Sequence, residues 1–200
     1  LPEHVSCYAL KVEEGTPFCQ MKDALNLPDD DTVADMYLAA VETLRGRGFK
    51  QYEISNFARD GYECRHNLRY WLGEEYIGCG PAAHSYFGGR RFSLRRSLAQ
   101  YCKLLETKGT SLPSSLLDES YVIDRKEEVA EYLMLRLRLA DGISFDAFKE
   151  RFDKDFPDEI IQRADDLAKH GLVKATDNSL SLTRKGFLLS NTIISKLIYG

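Results

Sequence analysis

The sequence YEISNFARDGYECRHNLRYW, Tyr52–Trp71, decides how this chain is organised. From Tyr52 to Phe57 polar and apolar residues alternate, which predicts a β-strand. The remainder is bounded by Gly61 and Gly73, and glycines in such positions predict a loop rather than a helix. Because loops on a rigid scaffold often carry binding residues, this loop is the candidate binding segment.

The loop concentrates groups that suit a flat, anionic ligand carrying a metal ion. Its histidine offers an imidazole nitrogen for iron. Its two large rings offer apolar faces with a polar edge, and its arginines offer forked donors for carboxylates. The alternative is that the rings pack in a core and the arginines face solvent. The candidate residues are Arg65, His66, Asn67, Arg69, Tyr70 and Trp71, with His66 as the metal ligand.

An amphipathic helix is predicted before this stretch. Apolar residues recur at helical spacing between Val33 and Leu44, acidic residues precede them, and Gly46 or Gly48 ends the run. The segment His4–Val12 is rich in strand-forming residues. A strand, a helix and a strand in this order predict the crossover unit from which parallel sheets and β/α barrels are built.

A third strand, Glu75–Gly80, and a hairpin that includes Arg90–Leu94 are predicted next. The run Gly78–Ala83, GCGPAA, superficially fits a dinucleotide-binding fingerprint. NAD binding is rejected because Pro81 leaves no convincing helix and the acidic residue that the fingerprint requires is missing. A second basic group is either a solvated hairpin or a contact for carboxylates or a phosphate, with Arg91 and Arg95 on one face. This group consists of Arg90, Arg91, Arg95 and Arg96.

The second half of the chain is predicted to be rich in helices after a polar linker at Thr107–Ser115. Asp124 and Ser144 are predicted to cap helices, and a hairpin is predicted around Asp177–Asn178 before a closing helix. Three helices followed by a two-stranded hairpin are typical of a winged helix. DNA binding is disfavoured, because the helix that would enter the groove, Asp158–Gly171, carries a net negative charge.

The composition indicates a globular and mildly acidic protein. The chain has 200 residues and a formal net charge of −4 with dispersed basic residues, which argues against non-specific nucleic-acid binding. No apolar run approaches the roughly 20 residues that span a bilayer, and the first residues lack the pattern of a secretion signal.

The odd number of cysteines and the absence of CxxC and CxxxCxxC spacings favour reduced cytosolic thiols over disulfides or a zinc site. The five cysteines are Cys7, Cys19, Cys64, Cys79 and Cys102.

Four motifs taken together, YEISNFA, HNLRYW, IGCGPAAHSY and TRKGFLLSN, resemble the radical-SAM proteins related to oxygen-independent coproporphyrinogen III oxidase. Within that family, HNxxYW is typical of the haem-chaperone branch. The resemblance covers nearly the whole chain and implies an α/β fold plus a winged helix. Residues 1–113 would be the C-terminal strands and helices of an incomplete (β/α)6 radical-SAM barrel with its extension. Residues 114–200 would be a mainly helical, winged-helix-like domain.

By this resemblance the chain is the C-terminal portion of a haem chaperone that binds haem and passes it to acceptor proteins. The alternative is an anaerobic coproporphyrinogen III oxidase, which works through a 5′-deoxyadenosyl radical. Either parent would hold a [4Fe-4S] cluster and S-adenosylmethionine. Because this chain lacks CxxxCxxC, we expect it to be inactive alone, and no catalytic residue is assigned to it.

The resemblance alone places two further groups of residues near ligands. Those close to the adenosine of S-adenosylmethionine would be Cys7, Tyr8 and Ala9, and those at a turn near a ligand would be Gly78, Gly80 and His84. The expected location is the cytoplasm, with haem and haem-acceptor proteins as partners. Peripheral membrane contact is left open, as is self-association through exposed sheet edges. A strand at the very start, without a preceding cap, suggests a longer polypeptide.

Overall fold

The structure is a computed structural model that describes residues 2–21, 24–106 and 114–200. Most of the predicted linker, Thr107–Ser115, lies outside the described residues, and so does residue 113. The predicted domain boundary at that residue therefore stays a prediction.

The chain forms two compact units. The first unit is made of Leu1–Arg65 together with Arg136–Gly200, and the second unit is His66–Leu135. Within the described ranges the sheet structure consists of three small antiparallel sheets of three strands each. The fold is thus mixed α/β, with helices between and beside small sheets.

The first unit begins with one of these sheets. Its strands are β1 (His4–Ser6), β2 (Lys50–Gln51) and β3 (Asn56–Ala58), and they lie in the order β1-β3-β2. All three residues of β3 are buried, whereas the two outer strands are partly exposed. The buried strand therefore lies in the middle of the sheet.

This pairing corrects two predictions. The strands expected over His4–Val12 and Tyr52–Phe57 are shorter than predicted, and the parallel crossover unit expected from them is not formed. The reason is a reversal of the chain after β2, where the Tyr52 N–H donates to the Asn56 carbonyl at 3.1 Å. The reversal turns β3 back between the other two strands, so both pairings become antiparallel.

In the described residues, two α-helices lie between β1 and β2 along the chain. α1 (Pro17–Gln20) is a single turn capped by Thr16. α2 (Asp30–Gly46) confirms the predicted amphipathic helix, and Asp29 caps it by accepting a hydrogen bond from the Thr32 N–H at 2.8 Å. The core formed here consists of Val41, Phe49 and Phe57, with Tyr37 and Leu44 packed against it.

The second unit is built around the sheet β4-β5-β6 and confirms the predicted hairpin. The hairpin turns at Gly88–Gly89, where both φ angles are positive (59° and 68°), as a tight two-residue turn requires. The predicted third strand is reduced to one bridge between Tyr76 and Tyr86. The elements are α3 (Arg65–Trp71), β4 (His84–Phe87), β5 (Arg90–Leu94), α4 (Leu98–Leu105), a 3-10 turn (Ser114–Leu116), β6 (Leu117–Val122) and α5 (Arg125–Arg136).

The last part of the chain returns to the first unit and adds the sheet β7-β9-β8. Ser144 caps α6 as predicted, and the hairpin turns at Asp177–Asn178 as predicted. The single closing helix that was predicted is two helices, because Leu189 leaves helical geometry between them. The elements are β7 (Ile143–Ser144), α6 (Phe145–Phe152), α7 (Asp158–Lys169), β8 (Val173–Thr176), β9 (Ser179–Leu182), α8 (Arg184–Leu188) and α9 (Ser190–Tyr199).

Candidate binding site

The loop predicted between Gly61 and Gly73 contains a helix, α3. The two glycines have φ angles of 82° and 64°, so they form turns before and after the helix instead of a continuous loop. The seven residues of α3 include no glycine, proline or β-branched residue, and nothing in their sequence opposes a helix. The prediction of a non-helical segment was therefore wrong, and the candidate residues are arranged with helical spacing.

Helical spacing divides the six candidate residues into three pairs, because residues four positions apart share a side of a helix. The middle pair, His66 and Tyr70, is exposed. The pair on one side of it, Arg65 and Arg69, is basic and also exposed. The pair on the other side, Asn67 and Trp71, is half-buried.

The structure brings His66 and Tyr70 into direct contact. Nε2 of His66 lies 3.2 Å from Oη of Tyr70. Their ring centroids are 5.0 Å apart and the rings are perpendicular, an edge-to-face arrangement that suits two aromatic groups. The contact fixes the direction of an exposed imidazole, whereas Trp71 faces a different side of the helix.

A row of aromatic rings continues from Tyr70 to Tyr76, which was not among the predicted site residues. The two ring centroids are 4.6 Å apart. The Tyr76 hydroxyl accepts a hydrogen bond from Arg91 at 3.3 Å. Tyr76 falls within the predicted third strand, but no sequence spacing connects that strand with α3. The contact could be found only from the folded chain.

Arg91 ends this row in a partly buried ion pair. Its Nη2 lies 2.6 Å from a carboxylate oxygen of Glu131 on α5, and its guanidinium lies 5.0 Å from the Tyr86 ring centroid. Burial lowers the pKa of Arg91, but the hydrogen bond and charge of Glu131, together with Tyr76, outweigh it and raise the pKa above its ordinary value. Arg91 therefore stays charged and serves to hold Tyr76 in place.

The second basic group is dispersed in the structure. Arg90 is exposed and donates to Ser120, and Arg95 is exposed and donates to the Leu117 carbonyl. The expected shared face of Arg91 and Arg95 is interrupted by a register shift between Ser93 and Leu94. Such a bulge breaks the strict alternation of a strand, and β5 ends at Leu94, so the alternation does not extend to Arg95 and the shared face stays a prediction.

The turn predicted at Gly78, Gly80 and His84 adjoins a small cavity. A Cβ at Gly78 would lie 2.3 Å from the His84 carbonyl oxygen, and Gly80 has a φ of 110°, so both positions suit glycine. His84 is exposed and lines a cavity of about 140 Å³ with Tyr76 and Arg91. Cavities that enclose drug-sized ligands measure roughly 300–1,000 Å³. This cavity is therefore too small to enclose a large flat ligand.

The residues predicted near S-adenosylmethionine belong to the first unit. The Cys7 N–H donates to the Ser55 carbonyl at 2.8 Å, and the Tyr8 hydroxyl accepts from the Asn56 amide at 3.2 Å. Tyr8 is 70% exposed and Ala9 is also exposed. These contacts join the segment after β1 to Ser55 and Asn56, and the proximity of Cys7, Tyr8 and Ala9 to S-adenosylmethionine stays a prediction.

The described residues do not fit an iron–sulfur cluster. All five cysteines are free. Among the residues described, no group of three or more His, Cys, Asp or Glu side chains is placed to hold a metal ion. No step is therefore assigned to such a cluster on this chain. None of the helices in these residues has the length and apolar character needed to cross a membrane.

Comparison with known proteins gives a consistent family. Residues 123–189 match the HemN C-terminal domain family. The heme chaperone HemW of Bacillus subtilis is 33% identical over 198 residues, which are 98% of this chain and 51% of that protein. The heme chaperone HemW of Synechocystis sp. is 37% identical over 149 residues, which are 72% of this chain and 35% of that protein. The chain spans about half the length of the curated relatives it matches across nearly all its residues.

The fold is shared with a solved structure. The radical-SAM enzyme coproporphyrinogen III oxidase (HemN) from Escherichia coli aligns with a TM-score of 0.72 and 21% identity, covering 100% of this chain and 48% of that chain. The predicted resemblance is confirmed by these matches together. The chain is therefore similar to HemW-type proteins over nearly its whole length and matches, at residues 123–189, the HemN C-terminal domain.

Proposed function

We propose that this chain supplies the haem-binding helix of a haem chaperone, with His66 as the iron ligand. The observation that carries the proposal is an exposed imidazole held in a fixed direction by a neighbouring ring on α3. Relatives that match 98% of this chain bear the name heme chaperone HemW, which supports haem as the ligand. Haem is the cargo in this proposal, and the chain would bind it and release it to an acceptor protein.

The contact with Tyr70 leaves His66 ready to bind iron. In an imidazole Nδ1 adjoins the ring carbon that carries the side chain, so Nε2 is the sterically open nitrogen. When the Tyr70 hydroxyl donates to Nε2, that nitrogen keeps its lone pair and the proton lies on Nδ1. Iron would then replace a weak, exposed hydrogen bond, which costs little because the hydroxyl can bond to water instead.

The rest of the exposed side of α3 suits the other parts of haem. Tyr70 offers an exposed ring for the macrocycle, and Tyr76 packs against Tyr70 at an angle of 73° and supports it. Arg69 forms a long ion pair of 3.7 Å with Glu74, both side chains being about half exposed. Such surface pairs contribute little, so Arg69 can exchange Glu74 for a propionate. Arg65, also exposed, is four positions away on the same side of the helix and offers a second donor.

A haem titration followed by Soret absorbance tests this proposal on the 200-residue chain. We expect His66→Ala to shift or remove the Soret band of the complex and to weaken binding at least about tenfold, because the iron ligand is lost. His170→Ala is the matched control, since His170 is an exposed histidine at the end of α7. Added imidazole should restore the band in His66→Ala. Identical spectra for the wild-type chain and His66→Ala would exclude His66 as the ligand.

Oxidation of coproporphyrinogen III is the alternative function from the sequence. The structural likeness to HemN, at 21% identity, is a likeness of fold and does not distinguish the two functions. Turnover of coproporphyrinogen III by a longer protein that contains this chain would favour the oxidase, whereas haem transfer without turnover would favour the chaperone. The chain alone is expected to show neither a [4Fe-4S] cluster nor radical chemistry.

Several finer predictions belong to the same proposal. We propose that residues 114–200 form a winged-helix-like domain, supported by α6 and α7 lying along the chain between β7 and the β8-β9 hairpin. We propose that residues 1–113 correspond to the last part of a (β/α)6 barrel, completed in a longer parent that holds the cluster and S-adenosylmethionine.

A cytoplasmic location and haem-acceptor proteins as partners complete the proposal. Contact with a membrane surface and self-association through β1 and β2, the outer strands of their sheet, stay predictions.

A further inference from the structure

A basic cleft in the first unit lies apart from the residues of α3. It has a volume of about 500 Å³ and is lined from α2, β2, β8, β9 and α8. Its volume falls within the roughly 300–1,000 Å³ that is typical of small-molecule sites. The bottom of the cleft is apolar and is formed by four buried side chains, which are Val41, Phe49, Leu182 and Phe187.

Four cations surround this apolar bottom, namely Arg45, Lys50, Lys174 and Arg184. Glu42 pairs with two of them, at 3.6 Å from Arg45 and in closer contact with Arg184. Asp60 pairs with Lys50 at 2.6 Å. Asp60 and, more weakly, the charge of Glu63 raise the pKa of Lys50, so the four cations face three carboxylates and leave a net charge of +1. The cation that forms no ion pair within the described part of the chain is Lys174 on β8.

We propose that the cleft binds a small organic dianion, an apolar body that carries phosphate or carboxylate groups. The apolar bottom would cover the body of such a ligand, and burial of apolar surface is favourable. The charged edge would hold its anionic groups, because arginine and lysine are the usual partners of phosphate and carboxylate. The cleft is separate from the proposed haem site, since the cleft and His66 belong to different compact units.

Glu42 lies between two of the cations of the cleft. Its carboxylate bridges Arg45 and Arg184, and both arginines line the cleft. It thus occupies the place that an anionic group of the ligand would take between two guanidinium groups. Glu42 is itself 59% exposed, so the bridge can open without disturbing the core. A ligand would compete with Glu42 for the arginines, while Lys174 would be available to it from the start.

The experiment uses three probes that share a naphthalene ring, measured by isothermal titration calorimetry on the 200-residue chain. 1-Naphthyl phosphate and naphthalene-2,6-dicarboxylate are the dianions, and 1-naphthol is the neutral control. We expect both dianions to bind more tightly than the naphthol, and the tighter of the two identifies phosphate or carboxylate as the preferred group. Affinity should fall as salt rises, because the binding charges are exposed.

Charge variants locate the binding. Lys174→Glu should weaken it at least about tenfold, whereas Glu42→Gln should strengthen it about threefold by releasing two arginines. Lys154→Glu is the matched control, since Lys154 is exposed, makes the same charge change and does not line the cleft. Loss of folding would weaken binding in every variant. It therefore cannot explain a result in which Lys174→Glu weakens binding and Glu42→Gln strengthens it. Failure of both dianions to bind, equal binding of the naphthol, or equal affinity in Lys174→Glu would overturn the proposal.

Discussion

Two groups of rings, one in each compact unit, have similar spacing and opposite exposure. In the first group the centroids lie 4.3, 4.8 and 5.2 Å apart, and in the second 4.6 and 5.0 Å apart. Phe148 of the first group is 2% exposed, however, whereas Tyr70 of the second is 36% exposed. The phenylalanine cluster consists of Phe145, Phe148, Phe152 and Phe156, and the site cluster consists of His66, Tyr70 and Tyr76.

The difference shows that ring spacing does not distinguish a core from a binding surface. Burial and the presence of polar side-chain atoms distinguish the two. The phenylalanine cluster has no hydrogen-bonding atom in its side chains and removes its rings from water, so its contribution is to stability. The site cluster keeps a ring nitrogen and hydroxyl groups, and its contacts leave His66 exposed. Stability and haem binding should therefore respond to different substitutions.

The largest expected effect is the loss of stability in Phe148→Ala. Removing a fully buried phenylalanine leaves a cavity and should lower the free energy of unfolding by about 3–5 kcal/mol. Urea unfolding followed by circular dichroism measures this change. Phe87→Ala is the control, because Phe87 is 54% exposed and should change stability by less than about 0.5 kcal/mol.

Haem binding should be retained by Phe148→Ala under conditions in which the variant is still folded. A loss of stability below about 1 kcal/mol would show that the phenylalanine cluster is less well packed than its burial indicates. Loss of the Soret band from folded Phe148→Ala would contradict the separation of the two clusters.

The two clusters also differ in how well the sequence predicts them. α6 carries a capping serine, Ser144, followed by apolar residues at helical spacing, and both signals agree over Phe145–Phe152. α3 is only seven residues long and lies between glycines, so the same rules predict a loop. The prediction of a haem site from its amino-acid types does not depend on that conformation, and it stays a prediction.

The parts that could not be predicted depend on contacts between distant segments. Arg91 and Glu131 are 40 positions apart in the sequence, and no local pattern connects them. The antiparallel order β1-β3-β2 depends on a reversal after β2 that three or four residues determine. The helical period of α2 and the two local hairpins can be obtained from the sequence of this chain, whereas the pairing of distant strands and the row of rings beyond Tyr70 cannot.

A smaller effect is expected at the beginning of α6. The Ser144 hydroxyl accepts a hydrogen bond from the Ala147 N–H at 3.4 Å. This N–H lies in the first turn of the helix and therefore has no partner within the helix itself. Ser144→Ala should lower the free energy of unfolding by about 1 kcal/mol. Ser195→Ala, at an exposed position within α9, is the matched control and should have almost no effect. Equal unfolding curves for Ser144→Ala and the wild-type chain would show that so long a bond contributes nothing to the helix.

The smallest effect, in Tyr70→Phe, is the most informative about the site cluster. The substitution keeps the ring beside His66 and removes the hydroxyl that contacts Nε2. If iron binds through Nε2, the hydroxyl competes with it, and its loss should strengthen haem binding about twofold to threefold, since an exposed hydrogen bond is worth about 0.5 kcal/mol. Tyr199→Phe, at a tyrosine that is 74% exposed, is the control. Weaker binding by Tyr70→Phe would instead mean that the hydroxyl orients the imidazole in the complex and that iron binds through Nδ1. The sign of this small change thus assigns the nitrogen, which the loss of haem in His66→Ala cannot do.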